Sequence, residues 1–186
     1  GDSYLLRRLG GLLPREMHLK VLEHAMADVA GRSGRPRDAI KVVVVGSFCE
    51  QPTLDLIDLL EQVGCNVVDD EFLQIHRWYG EIDPSGDPLE ALARAYAESR
   101  IDIGVRMTPT TKGEAILQRT EAAGAQGVIF LTAKFCEPAL EDVVPYRKAL
   151  DRRKIPYLHL EFEERSTSYE QTRLQLETFV ESILFD

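Results

Sequence analysis

The chain reads as an α/β protein of flavodoxin-like, doubly wound type: an open parallel sheet of about four strands behind an amino-terminal helical extension. Three observations predict this. Short β-branched runs alternate with longer segments of helical period. Glycine or proline punctuates most junctions. The runs are apolar on consecutive residues, as strands covered on both faces require.

At the amino terminus, Ser3 to Ala30 carries a helical period in Leu5, Leu9, Leu12, Leu13, Met17, Val21, Leu22, Ala25 and Val29, and Pro14 suits the start of a second helix. Gly31–Asp38, rich in Gly, Pro and Arg, reads as a linker, so residues 1–38 form an extension and 39–186 the α/β domain. KVVVVGS at 41–47 is a buried strand. Pro52–Val63 is an amphipathic helix stopped by Gly64, and Asn66–Asp69 is a second strand. Residues 70–85 form an aromatic-rich excursion ending in a turn. Leu89–Glu98 and Lys112–Ala123 are helices, the latter closed by Gly124. Gly127–Thr132 is the third strand, Leu140–Arg152 a helix, Ile155–Leu160 the fourth strand and Tyr169–Leu184 a terminal helix.

Composition removes several function classes. The net charge of −9 opposes a nucleic-acid surface, which needs an excess of Lys and Arg. No apolar run approaches the roughly 20 residues that span a bilayer. Charges interrupt the apolar start, against a signal-peptide layout. Three cysteines, an odd count, fit thiol or metal chemistry better than a disulfide framework and point to the cytoplasm.

Topology then locates the ligand edge. Ligands of open parallel sheets sit beyond the carboxyl ends of the strands, where strand order reverses. With the order 2-1-3-4, the reversal lies between the first and third strands. Phe48-Cys49-Glu50-Gln51-Pro52 comes after the first and Phe135-Cys136-Glu137-Pro138 after the third. Each cysteine precedes a helix, where backbone N–H groups and the dipole favour a thiolate. The bland alternative is that both are buried small hydrophobes. Cys65 sits at the amino end of the second strand, at the opposite edge and roughly 15 Å away, and reads as structural.

Other candidates carry less. Asp69, Asp70 and Glu71 offer a cation site or, on the favoured reading, a solvated acidic turn. His76 is the candidate acid–base group, set against an imidazole with no such role. Arg77 or Lys134 can pair with phosphate or carboxylate, or simply charge the surface. Gly10-Gly11 and Gly124 lack any phosphate-loop context.

The phrases VVVVGSFCEQP, GCNVVDDEF and QGVIFLTAKFCEPALEDVVPYRKAL, with the tail IPYLHLEFEERSTSYEQTRLQLETFVESI, resemble the 2-hydroxyacyl-CoA dehydratase and benzoyl-CoA reductase family. The likeness runs from about Pro14 to the end and is most specific at Lys134–Pro138 and Glu161–Glu181. Within the family it is nearest to a small benzoyl-CoA reductase subunit. The resemblance implies a 4Fe-4S cluster held by three cysteines, with Cys136 matching the ligand of the Lys-Phe-Cys-acidic-Pro motif and Cys49 in the matching loop. It also implies an acyl-CoA substrate, a homologous partner subunit and an ATP-dependent electron-donor protein. The expected reaction is single-electron reduction of an aromatic acyl thioester. The alternatives are dehydration of a 2-hydroxyacyl-CoA, or a cluster-free relative serving in assembly or binding. The chain departs from the pattern where many members have a cysteine and it has Phe72, Leu73 and Gln74. The family's amino-terminal region, with a further cysteine, has no counterpart, so the sequence looks like a carboxy-terminal fragment.

Overall fold

β-Branched residues and backbone pairing set the sheet. The structure is a computed structural model that describes residues 1–33, 38–46, 51–72, 82–98, 109–163, 166 and 168–185. Two compact units make up the chain, Gly1–Asp38 and Ala39–Asp186.

In the first unit, α1 (Asp2–Arg8) passes through a 3-10 turn (Leu9–Gly11) into α2 (Arg15–Ala30), which Pro14 opens. Buried His18 brings its Nε2 within 2.8 Å of the Leu6 carbonyl. A Cβ at Gly10 would fall 2.7 Å from its ring. The glycine therefore makes room for a core imidazole, and no anion loop is involved.

The second unit contains, among the described residues, four parallel strands in the order β2-β1-β3-β4. They are β1 (Ile40–Gly46), β2 (Cys65–Asp70), β3 (Gly127–Ala133) and β4 (Tyr157–Phe162). The helices are α3 (Leu54–Gln62), α4 (Pro88–Glu98), α5 (Pro109–Ala122), α6 (Glu137–Arg153) and α7 (Glu170–Phe185). This is the expected α/β fold, with β1 central. The fourth strand runs two residues later than its apolar pattern suggested, because Pro156 lacks the N–H that a ladder position would use. α5 and α6 each begin three residues early. In α6 the extra turn absorbs the loop expected after the third strand.

Side-chain alternation divides the core. Val43, Val45, Val128 and Phe130 pack with Ile116 of α5 and Val143, Tyr146, Ala149 and Leu150 of α6. Phe130 stacks on Tyr146 with ring centroids 5.8 Å apart. Residues 127, 129 and 131 face the opposite layer, where a Cβ at Gly127 would fall 2.9 Å from Phe179 of α7. Positive φ at Gly64 and Gly124, 93° and 58°, closes α3 and α5 as their sequence positions predicted. Lys112 on α5 is 4% exposed and pairs with Asp142 on α6, so the two helices share a buried charge as well as an apolar seam.

Candidate functional site at the carboxyl edge of the sheet

β3 delivers the site. Its ladder to β4 persists past the strand end, where the Lys134 N–H donates to the Phe162 carbonyl at 2.9 Å. The chain then reverses in a tight turn closed by the Cys136 N–H on the Ala133 carbonyl at 3.1 Å. Phe135 holds the second central position, with φ of 65°. A turn with positive φ there ordinarily takes glycine. Phe135 puts a bulky side chain there instead, 91% exposed, while Cys136 turns inward and is 5% exposed.

Cys136 is the N-cap residue of α6, and its carbonyl accepts the Leu140 N–H at 3.0 Å. Pro138 sits in the first turn, where its missing N–H costs nothing. The thiol makes no capping hydrogen bond. The sulfur is thus placed at the positive end of a helix without serving as its cap.

The acidic end of β2 corrects an expectation. Asp69, Asp70 and Glu71 do not form a solvated turn. Arg119 of α5 sets its Nε 3.4 Å from Asp69 Oδ2 and 3.6 Å from Glu71 Oε1, and its Nη1 donates to the Asp70 carbonyl. Asp70 is buried and its carboxylate accepts the Phe72 N–H at 3.1 Å. The Tyr146 hydroxyl donates to Glu71 Oε2 at 3.4 Å. One guanidinium thus occupies the position a cation would take. Phe72 folds back over the end of β1, where a Cβ at Gly46 would fall 2.8 Å from its ring.

The start of α3 also departs from the pattern. α3 starts only after Thr53, whose hydroxyl accepts the Leu56 N–H at 3.3 Å. Pro52 therefore precedes the helix, and Cys49 lies four positions before the cap in the sequence. Thr53 also hydrogen-bonds the Tyr169 hydroxyl at 2.8 Å, tying the start of α3 to the entry of α7. Lys134 is engaged by Glu163 at 2.5 Å, and that hydrogen bond raises its pKa. Cys49, His76 and Arg77 lie outside the described residues.

Cys65 is 3% exposed and level with Ile40 at the amino ends of the strands. β3 alone is seven residues long, so Cys65 and Cys136 are separated by roughly 20 Å along the strands. Burial pushes the Cys65 thiol up to about 12. Among the described residues, no group of three or more His, Cys, Asp or Glu is placed to hold a metal ion. His159, not singled out in the sequence, lies 3.0 Å from the Thr132 hydroxyl, and burial lowers its pKa.

At this edge of the α/β unit Cys136 is the one buried thiol among the described residues. Comparison with known proteins sharpens the class. The sequence model of the 2-hydroxyglutaryl-CoA dehydratase D-component family matches residues 2–183. The chain is 35% identical to a subunit of the benzoyl-CoA reductase of Thauera aromatica, over 98% of this chain and 48% of that protein. It is 26% identical to the lactoyl-CoA dehydratase β subunit of Anaerotignum propionicum, over 91% and 45%. It is 24% identical to the (R)-phenyllactyl-CoA dehydratase β subunit of Clostridium sporogenes, over 92% and 45%. The chain belongs to the 2-hydroxyglutaryl-CoA dehydratase D-component family. It spans about half the length of these relatives.

Proposed function

We propose that this chain is the cluster-bearing part of a subunit that reduces an aromatic acyl-CoA thioester by low-potential single-electron transfer. The observation that carries the reading is the buried, non-capping Cys136 at the start of α6, on the carboxyl edge. A cysteine sulfur is the donor that iron–sulfur clusters use, and Cys136 offers one for a single corner of such a cluster. Cys49, in the loop after β1, is the second proposed ligand. Cys65 is excluded by its place at the far edge. When bound, a 4Fe-4S cluster supplies single electrons at low potential.

The chain's own residues do the rest. The Arg119 network and Phe72 anchor the start of the segment that carries His76, the proposed proton donor. The turn at Lys134–Cys136 directs the thiol inward at the carboxyl edge. In this reading the complete protein works in the cytoplasm with an acyl-CoA substrate, a homologous partner subunit and an ATP-dependent electron donor. A second reading has support of its own: the family and two of the relatives above are described as dehydratases. The same residues then serve elimination of water from a 2-hydroxyacyl-CoA.

The test uses the complete enzyme purified without oxygen. Cys136→Ser and Cys49→Ser are expected to lose iron, sulfide and activity together, whereas Cys65→Ser keeps all three. A full complement of iron in Cys136→Ser sinks the assignment. Net consumption of reductant with benzoyl-CoA, against redox-neutral loss of water from an (R)-2-hydroxyacyl-CoA with the electron donor present in catalytic amount, separates reductase from dehydratase.

A further inference from the structure

The helical unit Gly1–Asp38 has little interior of its own. Among its described residues, Tyr4 and His18 are the buried ones. It holds no cysteine that could staple it. Units of about 40 residues or fewer ordinarily need a disulfide, a metal or a further surface to hold their shape. What this unit has is an open apolar groove of about 790 Å³ between its two helices. Leu5 and Leu6 of α1, with Leu9 just after it, line one wall, and Val21, Ala25 and Val29 of α2 the other. Leu5 is 45% exposed and Val29 60%. The spacing is regular. Leu5 and Leu9, and Val21, Ala25 and Val29, recur at intervals of four, and the second set extends about 12 Å along its helix. Rows at that interval form the grooves into which a further helix sets its own ridge.

We propose that this groove seats an amphipathic helix from the part of the complete subunit that lies outside this chain. Two observations choose that occupant over a second copy or a separate partner. The family match begins at residue 2, so α1 and α2 belong to the chain that the family shares. That chain is long: the 185 matched residues are 48% of the Thauera aromatica subunit, and more than half of it lies elsewhere in the same polypeptide. A segment tethered within one polypeptide meets the groove at an effective concentration of about millimolar, which a free partner has to match by affinity. The inference holds for either reaction, because it concerns how two parts of one subunit are joined and not the chemistry of the carboxyl edge.

Val29→Cys places a thiol in the groove, and Glu23→Cys places one at an exposed position of α2 outside it, as a control. Both variants are labelled with a maleimide without oxygen, in this 186-residue chain and in the complete subunit, and the rate is read peptide by peptide by mass spectrometry. In the 186-residue chain the two positions are expected to react within about threefold of each other. In the complete subunit Val29→Cys should slow by at least about tenfold while Glu23→Cys keeps its rate. Equal rates for Val29→Cys in the two proteins would mean an open groove and overturn the proposal. Slow labelling already in the 186-residue chain would overturn it too, with dilution restoring the rate if a second copy covers the groove and leaving it slow if the chain covers its own. A complete subunit that labels fast alone and slowly once its partner subunit is added would assign the groove to that partner, and the proposal would fall.

Discussion

The two edges of the sheet each hold a buried cysteine of nearly equal exposure, 3% for Cys65 and 5% for Cys136, yet they are built to opposite ends. At the amino edge Cys65 starts a strand inside the ladder and is sealed by core. At the carboxyl edge Cys136 leaves a strand through a turn with an outlying backbone and starts a helix it does not cap. The carboxyl edge is charged and hydrogen-bonded, through Arg119, Glu71, Tyr146, Thr53 and Tyr169. Burial alone therefore says little about a thiol. The element it introduces, a strand or a helix, says more.

The largest effect expected from this contrast is in the alkaline stability of the amino edge. The folded pKa of Cys65 is about 12 against a reference of 9.0, so its contribution is intact below pH 9 and is lost as pH rises toward 12. The difference between the two values corresponds to about 4 kcal/mol across the window. Urea unfolding of the wild type and Cys65→Ala should show their stabilities converging from pH 9 upward. Parallel curves would mean that the thiol is not sealed.

Next is Gly46→Ala at the carboxyl end of β1, where the new methyl would meet Phe72 at 2.8 Å. Overpacking of this kind costs about 1–3 kcal/mol. Combining it with Phe72→Leu should recover part of the loss, a coupling that a double-mutant cycle reads directly. Additive losses would place Phe72 elsewhere. The smallest effect is expected from Arg119→Met. Its ion pairs are partly exposed, and their loss is worth about 1 kcal/mol or less. The variant's stability should also lose part of its salt dependence.

Strand identity and order were legible because β-branched runs and closing glycines are local signals. KVVVVGS needs only its own residues to become a buried strand. Of the candidate site, the position of one residue was legible through topology: Cys136, after the third strand, lies at the edge the strand order defines. The rest depends on partners distant in sequence. Asp69 and Glu71 read as solvated because Arg119, about fifty positions later, gives no local sign of reaching them. The turn at Phe135 was hidden because nothing in Lys-Phe-Cys-Glu-Pro announces a left-handed residue. The two Cys-Glu phrases, each with a proline close behind, look alike, yet Thr53 delays the first helix where Cys136 starts the second at once.

The seal around Cys65 has a chemical consequence. With a thiol pKa of about 12, the ionised fraction at pH 7 is about one part in 10⁵. Peroxide, alkylating agents and disulfide exchange all act through the thiolate and need access to it. In this chain, then, air or iodoacetamide leaves the far cysteine intact.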